Sequence, residues 1–379
     1  MRRDFLVLGI TLVMILICAI RMLHSDIEPR YDQRFIQYQF DLRQYPQFSD
    51  GIVSLIIVGL YNRLWSLEPA VLNAHIRILA MSLYMLAGYL LLTVRPNRPG
   101  LSLLFILLLL TSGFPFLWLS SELFVGAFLM LTVWSIMRRL PFPVFAFFLT
   151  CFALTKPDLI FTGILIGLYV VHKNTFPSES KWLQTAILAT SVSILVLPAI
   201  IQHGLNTNRM QNSFEQHYAA LVVRHQIIQP TPDPWTETEK FIQPIWGQHT
   251  SLLSMVRSDP ARYFDFLLLS LGQTSRNIML PNILLLLPIW ALSFKHSNHK
   301  MAKDLSLLIL CGFIPITLFS FGHVRYFARF YPILLFLPYL FLAEAPIQRR
   351  RIYPWLMGTL VVQSVLFSFV FWLGEWFPD

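Results

Sequence analysis

The chain has 379 residues, of which 55 % are hydrophobic and 13 % charged, and its mean hydropathy is +0.59. A soluble globular chain carries about 25 % charged residues, so these charges cannot coat a water-facing surface of this length. A water-soluble enzyme, a disordered regulator and a coiled-coil scaffold are excluded, and the composition predicts an all-α, polytopic integral membrane protein. The net charge is +9, but neither a zinc-finger spacing nor a basic stripe interleaved with aromatics occurs, so no nucleic-acid partner is expected.

A membrane-crossing helix needs about 20 largely apolar residues. In chain order the qualifying segments run over 5–23, 69–93, 101–118, 122–137, 141–155, 159–171, 182–201, 278–294, 305–321, 329–343 and 353–374, which predicts about 11 transmembrane helices. Arg2 and Arg3 precede a long apolar run that ends at His24-Ser25-Asp26 without a small-residue cleavage site, so it reads as an uncleaved first span. With the N-terminus in the cytoplasm, the loops that return there carry Arg95 and Arg98, Arg138 and Arg139, Lys173 and Lys181, Lys295, Lys300 and Lys303, and Arg349 to Arg351. Nearly half of the 29 Lys and Arg residues thus fall on one side, the bias expected of a cytoplasmic face. The run Gly51–Trp65 is too short to span and reads as a helix lying in the outer interface.

Residues 1–379 form one domain on this reading. Residues 24–68 make a first extracytoplasmic loop with interfacial helices, and 202–277 make a second, longer one. Cys18, Cys151 and Cys311 lie in apolar runs with no CxxC spacing, and read as small buried hydrophobes. His217, His249 and His323 read as loop histidines.

Ionisable groups near spans are costly and mark function. Asp26, Glu28 and Asp32 follow the first span, Arg77 lies just inside the second, and Glu122 opens the fourth. Lys156 and Asp158 sit in the turn between the fifth and sixth, and Arg325 and Arg329 stand where the ninth passes to the tenth. By the count above all of them reach the extracytoplasmic boundary. Carboxylates there suit a general base or a metal ligand, and Lys and Arg suit a phosphate, Arg by a two-pronged contact. Each has a plainer role: Asp32 pairing with Arg30 or Arg34, Asp26 and Glu28 capping a helix, Lys156 snorkelling, Arg77 neutralising Glu122, Arg325 and Arg329 anchoring at the interface.

The order of these pieces resembles a known group. A first span is followed by the acidic stretch DIEPRYDQRFIQY, a second span that opens with NAHIRILAMSLYML, the turn TKPDLIF, a long outer loop, and HVRYFARFYPILLFLPYL. This resembles the GT-C superfamily of polytopic glycosyltransferases, most nearly the protein O-mannosyltransferase and aminoarabinose transferase group. The resemblance implies a bacterial inner-membrane enzyme that transfers a sugar, with inversion, from a polyprenyl-phosphate donor to a hydroxyl of a glycan, lipid or protein on the extracytoplasmic face. It implies Asp32 as catalytic base, and Lys156, Arg325 and Arg329 at the donor phosphate. By their placement, Asp26 and Glu28 join Asp32 as catalytic candidates, and Arg77, Glu122 and Asp158 are structural or substrate residues. Asp32-Gln33 stands where relatives often carry two acids, and Ser120-Ser121-Glu122 holds one acid where relatives hold more, so a divalent metal is left open.

Two other functions fit the composition. A lipid-linked polysaccharide polymerase would lean on Arg209, Arg224 or Arg257. A transporter or lipid flippase would place charges near the bilayer midplane, where this sequence has few.

Overall fold

The computed structural model describes residues 2–24, 68–94, 99–113, 120–156, 159–177, 180–190, 214–221, 238–247, 252–278, 290–312 and 324–344, with isolated positions between them. Its longer elements are α1 (Arg2–His24), α2 (Pro69–Leu92), α3 (Pro99–Gly113), α4 (Ser120–Arg138), α5 (Phe142–Thr155) and α6 (Ile160–His172). They continue with α7 (Thr238–Trp246), α8 (Leu252–Ser258), α9 (Pro260–Ile278), α10 (Lys300–Cys311) and α11 (Val324–Glu344). Further helical turns lie at 181–190, 214–221 and 290–296. Among the described residues there is no strand, so the class is all-α.

Proline and backbone chemistry set several boundaries. Pro69 opens α2, where its missing N–H costs nothing. Lys156 closes α5 in an extended conformation, because the following proline disfavours the helical region for the residue before it. The loops after α4 and α6 both close by the same device. Leu140 N–H donates to Ser135 C=O and Arg139 N–H to Ile136 C=O, with Arg139 at φ 52°. Thr175 N–H donates to Val170 C=O and Asn174 N–H to Val171 C=O, with Asn174 at φ 49°. This is the Schellman pattern, in which a left-handed residue satisfies two end carbonyls.

Two helices form the axis of the bundle. α4 is buried without interruption from Glu122 to Val133, and α11 from Arg329 to Leu342. A helix apolar on all sides belongs inside other helices, and α4 packs against α2, α5 and α11. Hydroxyls in these apolar helices are satisfied internally: Thr132 donates to Phe128 C=O at 2.7 Å and Ser135 to Thr132 C=O at 2.7 Å. The outer faces are apolar as well. Leu6, Leu12, Val13, Leu16, Ile17 and Ile20 of α1, Phe147 of α5 and Ile164 and Leu168 of α6 are all exposed.

Helix direction follows from named contacts. Arg138, the last residue of α4, donates to the carbonyl of Thr93 just past α2, while Tyr84 of α2 lies against Gly126 of α4, so these two helices run parallel. α5 returns alongside α4 after a short turn. α6 runs back down α5, Gly163 facing Ala153. α10 is antiparallel to α6, since Tyr169 donates to Asp304 at 2.8 Å near one end and Thr162 meets Gly312 near the other. One end of the bundle therefore carries Arg138, Arg139, Lys173 and Lys303. The other carries the start of α4, the end of α5 and the start of α6.

A second, smaller core gathers Phe214, Tyr218, Ile242, Trp246, Met255 and Phe266. Phe214 and Phe266 meet edge-on at 4.7 Å, and Arg262 stacks 5.6 Å over Trp246. Burial raises the Tyr218 and Tyr263 phenols above their ordinary 10.0. The segment 202–277, which the sequence allows to be partly helical, holds α7, α8 and nearly all of α9. α9 also touches α11. Sequence-predicted spans are met by helices at α1, α2 and α4 to α6, whereas α10 begins at Lys300 rather than 305. Most of 278–294 and 353–374, and 313–321, lie outside the described residues. One segment, Ala74–Leu92, is by itself long and apolar enough among the described residues to cross a bilayer; the other apolar helices are shorter.

Gly126 is where three helices close in. A Cβ there would sit 2.6 Å from the Tyr84 ring and 3.6 Å from the Arg329 carbonyl. Gly126→Val should lower stability by about 1–3 kcal/mol through overpacking. Gly9→Val, in open space on α1, should cost clearly less. Thermal unfolding of the two detergent-solubilised variants against wild type makes the comparison.

Candidate functional site

α4 begins at Ser120, which places Glu122 in its first turn, where a carboxylate is favoured by the helix dipole. Lys156 stands just past the C-terminus of α5, where a cation is favoured for the same reason. Arg329 lies in the second turn of α11. The antiparallel α4–α5 pair brings the first two to one level, and α11 delivers the third.

The three side chains interlock. Glu122 Oε1 accepts from Lys156 Nζ at 2.7 Å and from Arg329 Nη2 at 3.0 Å, while its Oε2 accepts from Arg329 Nε. Arg329 therefore grips the carboxylate with two donors, the strongest arrangement open to a guanidinium. The Glu122 side chain is 0 % exposed, that of Arg329 1 % and that of Lys156 10 %, so Lys156 is the least enclosed of the three. Taking such charges out of water costs several kcal/mol per ion. Only close pairing of this kind offsets it.

Arg77 is also buried. α2 and α4 are parallel with Tyr84 beside Gly126. Arg77 therefore stands about 10 Å up its helix from that contact and Glu122 about 6 Å up its own, at 1.5 Å per residue. The two are level to within one helical turn. Among the described residues the buried charged side chains are Arg77, Glu122, Lys156 and Arg329, three cations and one carboxylate at one end of the bundle.

The sequence reading brought these four to one boundary and paired Arg77 with Glu122. The structure gives Glu122 two partners that spacing did not pair with it, Lys156 and Arg329. Arg325 lies on α11 one turn before Arg329. Asp26, Glu28, Asp32 and Asp158 lie outside the described residues, as do His249 and His323. Two readings are corrected. His217 is buried on the helix at 214–221 rather than held in a loop. Cys151 and Cys311 are free thiols that are only half-buried, because each lies on a helix face that turns partly outward.

Among the described residues no three His, Cys, Asp or Glu side chains gather as a metal-binding group. Comparison of the chain with protein-family models, with curated proteins and with solved structures gives no match. What the geometry offers chemically is a preformed pair of cations around one buried carboxylate, with Lys156 the most exposed of the three.

Removing one partner of a buried ion cluster typically costs about 3–5 kcal/mol, because the others are left uncompensated. Arg329→Met should show a loss of this size. Combined with Glu122→Gln it should lose clearly less than the two single losses added together. Strictly additive losses in a double-mutant unfolding cycle would show that the two side chains are not coupled.

Proposed function

We propose that the chain is a polytopic membrane glycosyltransferase of the bacterial inner membrane, with its N-terminus in the cytoplasm and its site on the extracytoplasmic side. It transfers a sugar from a polyprenyl-phosphate donor to an acceptor hydroxyl of a glycan, lipid or protein. The observation that carries this reading is the gathering of buried Lys156, Arg329, Arg77 and Glu122 at the end of the bundle opposite Arg138, Arg139 and Lys173. The apolar outer faces of α1, α5 and α6 support a lipid surround. The basic far end supports the orientation.

On this reading Asp32, with Asp26 and Glu28 beside it, faces the acceptor. Its carboxylate takes the proton of the acceptor hydroxyl. The freed oxygen attacks the anomeric carbon from the side opposite the phosphate, the carbon–oxygen bond to the phosphate breaks, and configuration inverts. Charge then develops on the departing polyprenyl phosphate, where Lys156, Arg325 and Arg329 stabilise it. Arg77, Glu122 and Asp158 frame these cations. No step is assigned to a metal.

Asp32→Asn keeps the shape of the side chain and removes the base. Membranes containing this variant should bind a polyprenyl-phosphate sugar but transfer it at least about 100-fold more slowly, the lower range of a general-base contribution. Transfer at the wild-type rate, with normal protein levels, refutes the assignment.

A further inference from the structure

We infer that Lys156 and Arg329 form a phosphate seat that the chain's own Glu122 fills until a phosphate displaces it. The inference rests on the lipid-phosphate reading above and adds an occupant and a gate to it.

Two observations carry it. The first is the shape of the contact. Two donors of one guanidinium and one ammonium converge on two oxygens of a single anion, with Lys156 Nζ and Arg329 Nη2 sharing Oε1 at 2.7 and 3.0 Å. A phosphate presents oxygens to the same donors in the same way. The second is access. Glu122 and Arg329 are sealed, while Lys156 alone of the three keeps a tenth of its side chain open. An anion enters past the lysine and meets the guanidinium last.

A purely structural clasp explains these features less well. Apolar side chains of similar volume hold helices together as well as a buried ion cluster, often better. Emptying the seat requires the Glu122 side chain, in the first turn of α4, to turn away about its own rotatable bonds. The energetic consequence is a competition. The apparent affinity for phosphate is lowered by the fraction of molecules in which Glu122 holds the seat.

The test uses the full chain in phosphatidylcholine nanodiscs, with farnesyl phosphate and inorganic phosphate as probes and calorimetry as the readout. Glu122→Gln should bind farnesyl phosphate about tenfold more tightly than wild type, because the competitor's charge is gone. Adding Lys156→Gln should abolish the gain. Wild type that binds farnesyl phosphate while Glu122→Gln binds no more tightly overturns the gate and leaves the lipid-phosphate reading standing. A gain with inorganic phosphate and none with farnesyl phosphate keeps the seat and overturns the lipid reading. No binding of either probe by either protein overturns both. Should Glu122→Gln fail to fold, wild type decides. Labelling of Glu122 by dicyclohexylcarbodiimide, read by peptide mass spectrometry, should rise when farnesyl phosphate saturates the protein, since the carboxyl leaves its cations. Unchanged or lower labelling overturns the proposal.

Discussion

A carboxylate buried among apolar helices has to find cations, and Glu122 meets Lys156 and Arg329. That requirement organises one end of this molecule. Glu122 is fixed by the first turn of α4, Lys156 by the proline that stops α5, and Arg329 by α11. These positions are 34 and 207 residues away from Glu122 along the chain. Once the three meet, the ends of three helices are held at one level. Gly126, one turn below Glu122, lets Tyr84 and the Arg329 backbone approach closely enough for the clasp to close.

The same clasp gives the bundle its polarity. The end that carries Glu122, Lys156 and Arg329 buries its charges. The opposite end leaves Arg138, Arg139 and Lys173 exposed. Buried charge suits a site that acts on an ion, whereas exposed positive charge suits a headgroup surface. The proposed chemistry needs both a base and cations, and they come from different parts of the chain. The cations belong to rigid helices of the core. The proposed base, Asp32, precedes α2 in the sequence. A division of this kind keeps the leaving group on a fixed cradle and allows the acceptor side to vary.

Much of the helical skeleton was legible in the sequence because punctuation and hydropathy agree there. Pro69, the arginines at 138 and 139, Pro141 and Lys156-Pro157 bracket apolar runs, and α2, α4, α5 and α6 begin and end within two residues of the predicted limits. Where an apolar window misleads, the helix is amphipathic. α10 starts at Lys300 because Ala302, Leu305, Ser306 and Ile309 share a buried face that the charged first turn hides from a hydropathy average. The limits of α9 are hidden from a hydropathy average for the same reason, since Arg262 and Asp265 interrupt its apolar residues while Phe266 turns into the second core. Of the candidate site, the residue types and their common level were legible, because charge in an apolar chain is conspicuous. The partners of Glu122 were not, because no spacing rule links positions so far apart; only the packing of α4 against α5 and α11 brings them together.

The account turns on the buried-charge end and the basic end lying on opposite sides of a membrane, the former outside. Single cysteines placed at Glu68, exposed before α2, and at His172, exposed at the end of α6, read this directly in a chain whose Cys18, Cys151 and Cys311 are replaced. In intact cells a membrane-impermeant maleimide should label position 68 and should reach position 172 only after the inner membrane is opened. Labelling of both from one side, or of 172 alone from outside, contradicts the account.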